Sequence, residues 1–96
     1  MRRSKLETCF CILETLARHG PLKITHVMQK ANVNSNVLKN HLDLLIKQGA
    51  VEERFVGTDR IVYTITPRGL NLLRFFVKLQ PMISELENEH LFNKCQ

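Results

Sequence analysis

This sequence predicts a mainly α-helical fold with one small β-hairpin (α+β), on three observations. Two short helical patterns between Ile24 and Gln48 are joined by Asn32-Val33-Asn34. Two β-rich runs follow, separated by a Gly57-Thr58-Asp59 turn. Thr66-Pro67 then opens a long helical pattern, with a capping hydroxyl ahead of proline at the first helical position. The 96 residues make a single domain on the prior of about 100–200 residues each. A chain of this size buries roughly 60–65% of its unfolded surface, so its core is thin.

The first helix is predicted over about Lys5 to His19. Ser4 and Glu7 have the Ser-x-x-Glu spacing of a capping box, which satisfies backbone donors in the first turn. Leu6, Cys9, Phe10, Leu13, Leu16 and Ala17 recur at helical spacing and predict a buried stripe. Gly20-Pro21 ends the helix. Leu22-Lys23-Ile24 reads as a short strand or as the approach to the second helix.

Ile24, Val27, Met28 and Ala31 fall at i, i+3, i+4 and i+7, which predicts a second helix over about Thr25 to Ala31. Asn32-Val33-Asn34 breaks the pattern, since Asn tolerates turn geometry. Asn34 or Ser35 caps the third helix, which continues to Gln48, and Gly49 supplies the left-handed residue after it. Its inner face is Leu38, His41, Leu42, Leu45 and Ile46, with Val37 and Leu44 at the margin. Ala50 to Val56 and Arg60 to Thr66 form the hairpin, with Ile61, Tyr63 and Ile65 alternating on one face.

The last helix is predicted from Pro67 to about Phe92, roughly 39 Å at ~1.5 Å per residue, longer than a small domain needs for its own core. Leu70, Leu73 and Val77 make one apolar stripe. Leu72, Phe76, Leu79, Ile83 and Leu86 make another with heptad-like spacing, suited to a seam with a second copy of the chain. Pro81 removes a hydrogen bond to the Val77 carbonyl and is expected to kink or break the helix. Residues 1–66 are thus expected to form the core domain, and residues 67–96 the C-terminal dimerisation helix.

Lys and Arg number 14 against 9 Asp and Glu, a net charge of +5. Residues 1–80 carry 13 basic and 6 acidic side chains, whereas residues 81–96 carry one lysine and three glutamates. A basic domain surface suits a polyanion. No apolar run approaches the ~18 residues that would span a membrane, and Met1-Arg2-Arg3 leads directly into a helix start rather than a signal peptide. A cytoplasmic, nucleoid-associated location is therefore expected. The three cysteines form no disulfide framework, and the four histidines lack zinc-ligand spacing relative to them. No metal or cofactor is expected. Paired carboxylates, a nucleophile triad and a Gly-rich phosphate loop are all missing from the sequence, so no residue pattern supports catalysis.

On the third helix Asn36, Lys39, Asn40, Asp43 and Lys47 follow i, i+3, i+4, i+7 and i+11, a polar stripe opposite the core. Base edges are read by side chains with paired donors and acceptors: Asn suits adenine, and Lys suits guanine O6 and N7. Ser35 suits a phosphate, and Asp43 suits cytosine or a brace to Lys39 or Lys47. In the hairpin Arg54, Thr58 and Arg60 flank or form the tip, where they add phosphate contacts or reach a minor groove. Asp59, Glu52 and Glu53 point to a positioning role for that hairpin. Two helices joined by a turn and followed by a basic hairpin make a winged helix-turn-helix with a long C-terminal helix, an arrangement suited to double-stranded DNA.

The stretch KITHVMQKANVNSNVLKNHLDLLIKQGAVEER followed by VYTITPRGLNLL resembles archaeal winged helix-turn-helix proteins, among them predicted transcriptional regulators and small basic DNA-binding dimers. The resemblance covers about Ser4 to Leu79. It is most specific over Ala31 to Arg54 and at Tyr63-x-Ile65-Thr66-x-x-Gly69. It implies a three-helix core, a β-wing, a recognition helix matching Ser35 to Gln48, and a final helix that pairs with a second chain as an antiparallel coiled coil. Pro81 departs from that pattern. The function expected is sequence-specific DNA binding by a homodimeric transcriptional regulator. The alternatives are an architectural, sequence-tolerant chromatin protein and a protein–protein interaction module that does not bind DNA.

Overall fold

The computed structural model describes residues 4–87, with side chains through Met82. Its elements run α1 (Lys5–His19), α2 (Ile24–Ala31), α3 (Ser35–Lys47), β1 (Val51–Val56), β2 (Arg60–Ile65) and α4 (Pro67–Glu87). The fold is the expected α+β arrangement of helices with one antiparallel hairpin.

The capping box at the start of α1 is complete. Glu7 N–H donates to Ser4 Oγ at 3.1 Å and Ser4 N–H donates to Glu7 Oε1 at 3.2 Å. Burial along α1 departs from the predicted stripe. Phe10, Cys11, Ile12, Leu13 and Leu16 are buried, while Leu6 and Ala17 are exposed. The reason is position: α1 packs against α2, α3, β2 and α4, and a helix covered on several sides buries consecutive residues. The hydroxyls of Thr8 and Thr15 on this surface donate to the carbonyls of Ser4 and Cys11, which satisfies them inside the core. Cys9 is a half-buried free thiol whose pKa is pushed up by that burial. Cys11 is wholly buried.

Leu22 realises both readings of its segment. It forms a one-residue antiparallel bridge with Tyr63, through N–H to carbonyl bonds of 3.0 and 2.8 Å, and α2 starts two residues later. Asn32 closes α2 in the left-handed conformation at φ 55°. Asn34 then caps α3, its Oδ1 accepting from Val37 N–H at 3.0 Å. α3 ends at Lys47, one residue before the predicted end, and Gly49 follows at φ 78°.

The strands pair from Val51↔Ile65 to Val56↔Arg60. Thr66 ties the hairpin root to α4: its Oγ1 donates to the Gly49 carbonyl at 2.6 Å and accepts from Gly69 N–H at 3.0 Å. Gly69 sits against the Ala50 carbonyl so closely that a side chain there would collide with it.

Two features of α4 bear on its expected role. The helix is continuous across Pro81 rather than broken there. Val77 and Pro81 are both exposed, so water can take the carbonyl that proline leaves without its donor. Phe76, assigned from its spacing to a seam between chains, instead turns inward, 8% exposed, and packs with Phe10. Leu72 and Leu73 pack against the same core. The predicted end of the helix near Phe92 lies outside the described residues.

Candidate nucleic-acid interface

Burial of Leu38, Leu42 and Leu45 fixes the rotation of α3 about its axis. The opposite face therefore presents Asn36, Lys39, Asn40, Asp43 and Lys47, all exposed, with Ser35 half-buried at the helix start. These are the six positions predicted on this helix, and they form one continuous surface stripe. His41 is half-buried with Nδ1 2.8 Å from the Val37 carbonyl, so Nδ1 carries the proton and the ring serves the helix. Leu44, 48% exposed, adds an apolar side chain beside the polar stripe.

The wing stands next to this stripe. Tyr63 on β2 is half-buried, and its hydroxyl donates to Glu53 Oε2 at 3.3 Å. Burial raises its pKa above the ordinary phenol value, assisted by the charge and hydrogen bond of Glu53 and by the charge of Asp43. Asp43 belongs to the α3 stripe, so the charge of that stripe reaches the wing root. That corner is acidic. Along the rest of the stripe Lys39 and Lys47 supply the positive charge.

The wing residues Arg54, Thr58 and Arg60 are exposed. Arg54 is nonetheless engaged locally: Nε and Nη2 lie 2.8 and 2.7 Å from Glu52 Oε1. Such an exposed pair contributes little stability, but it reduces the charge Arg54 offers to a polyanion. Arg60 has no ion pair among the described residues.

Two groups escaped the sequence reading. α2 exposes Lys23 at its N-cap and His26, Gln29 and Lys30 along its outer face. In a helix-turn-helix the first helix of the pair crosses the phosphate backbone, so these side chains are placed to meet it. The apolar spacing of α2 drew attention to its inner face and hid the outer one. The wing tip is also apolar: Phe55, Val56 and Ile61 are 72%, 50% and 38% exposed. A run of β-forming residues gives no sign of which pairs extend past the core.

On α4 the exposed apolar residues are Leu70, Phe75, Val77 and Met82, at 38%, 57%, 51% and 58%, with Leu72 and Leu79 half-buried. The side chains of Ile83 and Leu86 lie outside the described residues. Among the described residues no group of three or more metal-ligating side chains converges, and no helix is long and apolar enough to cross a membrane.

A family model described as winged helix-turn-helix matches residues 2–90. Sso10a-2, a DNA-binding protein from Sulfolobus solfataricus, is 29% identical with a TM-score of 0.79; the match covers 90% of this chain and 87% of that one. The homodimeric winged helix-turn-helix DNA-binding domain of Mycobacterium bovis Mb0332 is also 29% identical, with a TM-score of 0.56 over 82% of this chain and 70% of that one. BpsR of Bordetella bronchiseptica, whose DNA binding is regulated by 6-hydroxynicotinic acid, shares the fold at 17% identity and a TM-score of 0.72. That match covers 81% of this chain, which spans only 56% of the BpsR chain. No curated protein sequence matches the chain.

Proposed function

The chain belongs to the winged helix-turn-helix family, and from that premise we propose that it is a sequence-specific, double-stranded DNA-binding transcriptional regulator acting as a homodimer. The observation that carries this reading is the α3 stripe. Asn36, Lys39 and Asn40 project to solvent from the first half of a helix whose other face is locked by Leu38, Leu42 and Leu45. An α-helix of these dimensions fits the major groove, where paired donors and acceptors distinguish base pairs. Lys23, His26 and Lys30 on α2 and Arg60 on the wing position the domain on the backbone. DNA binding by Sso10a-2 and homodimer formation by Mb0332 support the same reading.

In this reading α4 joins two copies along Leu72, Phe75, Leu79 and Met82, spaced 3, 4 and 3, the repeat of a coiled-coil seam. Leu86 continues that register on the backbone of α4. The seam sets the distance between two recognition helices, and hence the spacing of half-sites. A regulator of this kind works inside the cell, at the nucleoid.

Fluorescence anisotropy with a labelled duplex of random sequence, titrated across salt, tests the reading. Binding that weakens linearly with log salt, with a slope implying several phosphate contacts, is the expected result. A competition against selected sequences then measures specificity. Absence of binding at low salt would remove DNA as the partner, and equal affinity for all duplexes would leave an architectural protein.

A further inference from the structure

The wing ends in an apolar pair that the fold does not use. In the hairpin register Val51↔Ile65, Glu53↔Tyr63 and Phe55↔Ile61 share one face. The first pair is seated on the core, and the second is half-exposed at the root. The third lies at the tip, with Phe55 72% and Ile61 38% exposed. A phenyl ring in that position gains almost nothing from folding. It is also a poor residue for the tip of a hairpin that only has to stay in solution.

The neighbourhood indicates what meets it. β1 follows α3 after a short turn and packs against it, so the hairpin adjoins the helix that carries the polar stripe. Whatever lies along α3 continues to the wing. Three apolar side chains fall far short of the ~800 Å² per partner of a stable protein interface, so the tip is an accessory to a surface that already binds. The tip is also poorly equipped to clamp phosphates. Arg54 is tied to Glu52, Asp59 adjoins Arg60, and Arg60 is the one tip cation without an ion pair among the described residues. Apolar insertion is the contact it can make.

We propose that Phe55, backed by Ile61, is a wedge that enters the minor groove beside the recognition helix and partly unstacks a base step. The inference rests on the DNA-binding reading above. Wedges of this type pay for unstacking with the contacts that bent DNA makes to the protein, and pyrimidine–purine steps such as TA unstack most readily. Because the phenyl ring releases no counterions, its contribution does not depend on salt.

The test uses the full chain and a random-sequence duplex of about 30 base pairs with 2-aminopurine at TA steps, a length spanning roughly three helical turns. The parent chain is expected to bind and to raise 2-aminopurine fluorescence. Phe55→Ala is expected to abolish the rise and to weaken binding by about tenfold, the scale of one lost base–aromatic contact. The salt slope stays unchanged. Phe55→Leu restores part of both signals, and Arg60→Ala lowers the slope by about one while keeping the fluorescence. If the parent binds but Phe55→Ala matches it in affinity and fluorescence, the wedge is wrong and the DNA-binding reading stands. A parent chain that binds no duplex overturns both. A variant that binds DNA normally but self-associates more weakly marks the tip as a contact between copies and also overturns the wedge.

Discussion

The rings of Phe76 and Phe10 meet edge to face, with centroids 6.4 Å apart and planes inclined at 65°. This contact anchors α4 to α1 and sets the rotation of the long helix about its axis. With Phe76 inward, Phe75 and Met82 face solvent. Adjacent phenylalanines should therefore respond oppositely. Phe76→Ala is expected to cost about 3–5 kcal/mol of stability through a core cavity, at every protein concentration. Phe75→Ala is expected to leave the isolated fold intact and weaken self-association by roughly 10–100-fold, the effect of losing an interface anchor. Sedimentation equilibrium and melting at several concentrations separate the two, since only a dimer makes the melting temperature depend on concentration.

Gly69 provides a test in which propensity and packing oppose each other. Alanine in a helix is ordinarily favoured over glycine by about 0.5–1 kcal/mol. Here a Cβ would collide with the Ala50 carbonyl oxygen and come within 2.7 Å of Ile65 Cγ1. The carbonyl cannot retreat without losing its 3.0 Å bond from Thr66 N–H. Gly69→Ala is therefore expected to destabilise by about 1–3 kcal/mol, lowering the melting temperature by roughly 4–8 °C per kcal/mol for a domain of this size. A rise in melting temperature would show that the hairpin root yields at that contact.

Much of this architecture can be read from local chemistry. Ser4 and Glu7 announce the start of α1, Asn34 and Gly49 bracket α3, and Thr66-Pro67 opens α4, because caps and turns act within four residues of chain. The polar stripe of α3 is equally legible, since one helical period separates it from Leu38, Leu42 and Leu45. What is not legible depends on what lies opposite. Cys11 and Ile12 are buried because α1 is surrounded, a fact of topology that its own period cannot encode. Phe75 and Phe76 both fit an apolar stripe, and only the position of Phe10 decides between them. At the wing, the alternation of Phe55, Ile61 and Tyr63 gives the shared face but not where the core stops.

Tyr63 is the one tyrosine of a chain without tryptophan, so its phenolate absorbance reports a single group. Burial, Glu53 and Asp43 all favour the neutral phenol. The native state therefore holds this proton more tightly than the unfolded chain, whose value lies near ~10. The stability from this site is fully present below that pH and declines as pH rises through the folded pKa. An ultraviolet titration is expected to show a midpoint above the ordinary phenol value. Glu53→Gln should move it down, because it removes the charge that discourages ionisation. Tyr63→Phe should abolish this part of the alkaline decline in stability. An unshifted midpoint in the parent chain would mean that the wing root is open to solvent.

Lys39 and Asn40 lie side by side on the exposed stripe of α3, yet their chemistries predict different losses. Lysine carries a compact charge, and Lys39→Ala is expected to weaken binding to every duplex and lower the salt slope by about one unit, the signature of one lost phosphate contact. Asparagine is uncharged and suits the N6 and N7 edge of adenine. Asn40→Ala is therefore expected to leave the slope unchanged and relax the preference at one base position, at a cost of about 1–3 kcal/mol there. Binding selections on both variants, followed by salt titrations, read the two effects independently. If both variants keep the parent's slope and preference, α3 is not the surface that meets DNA, and the charged outer face of α2 becomes the place to look.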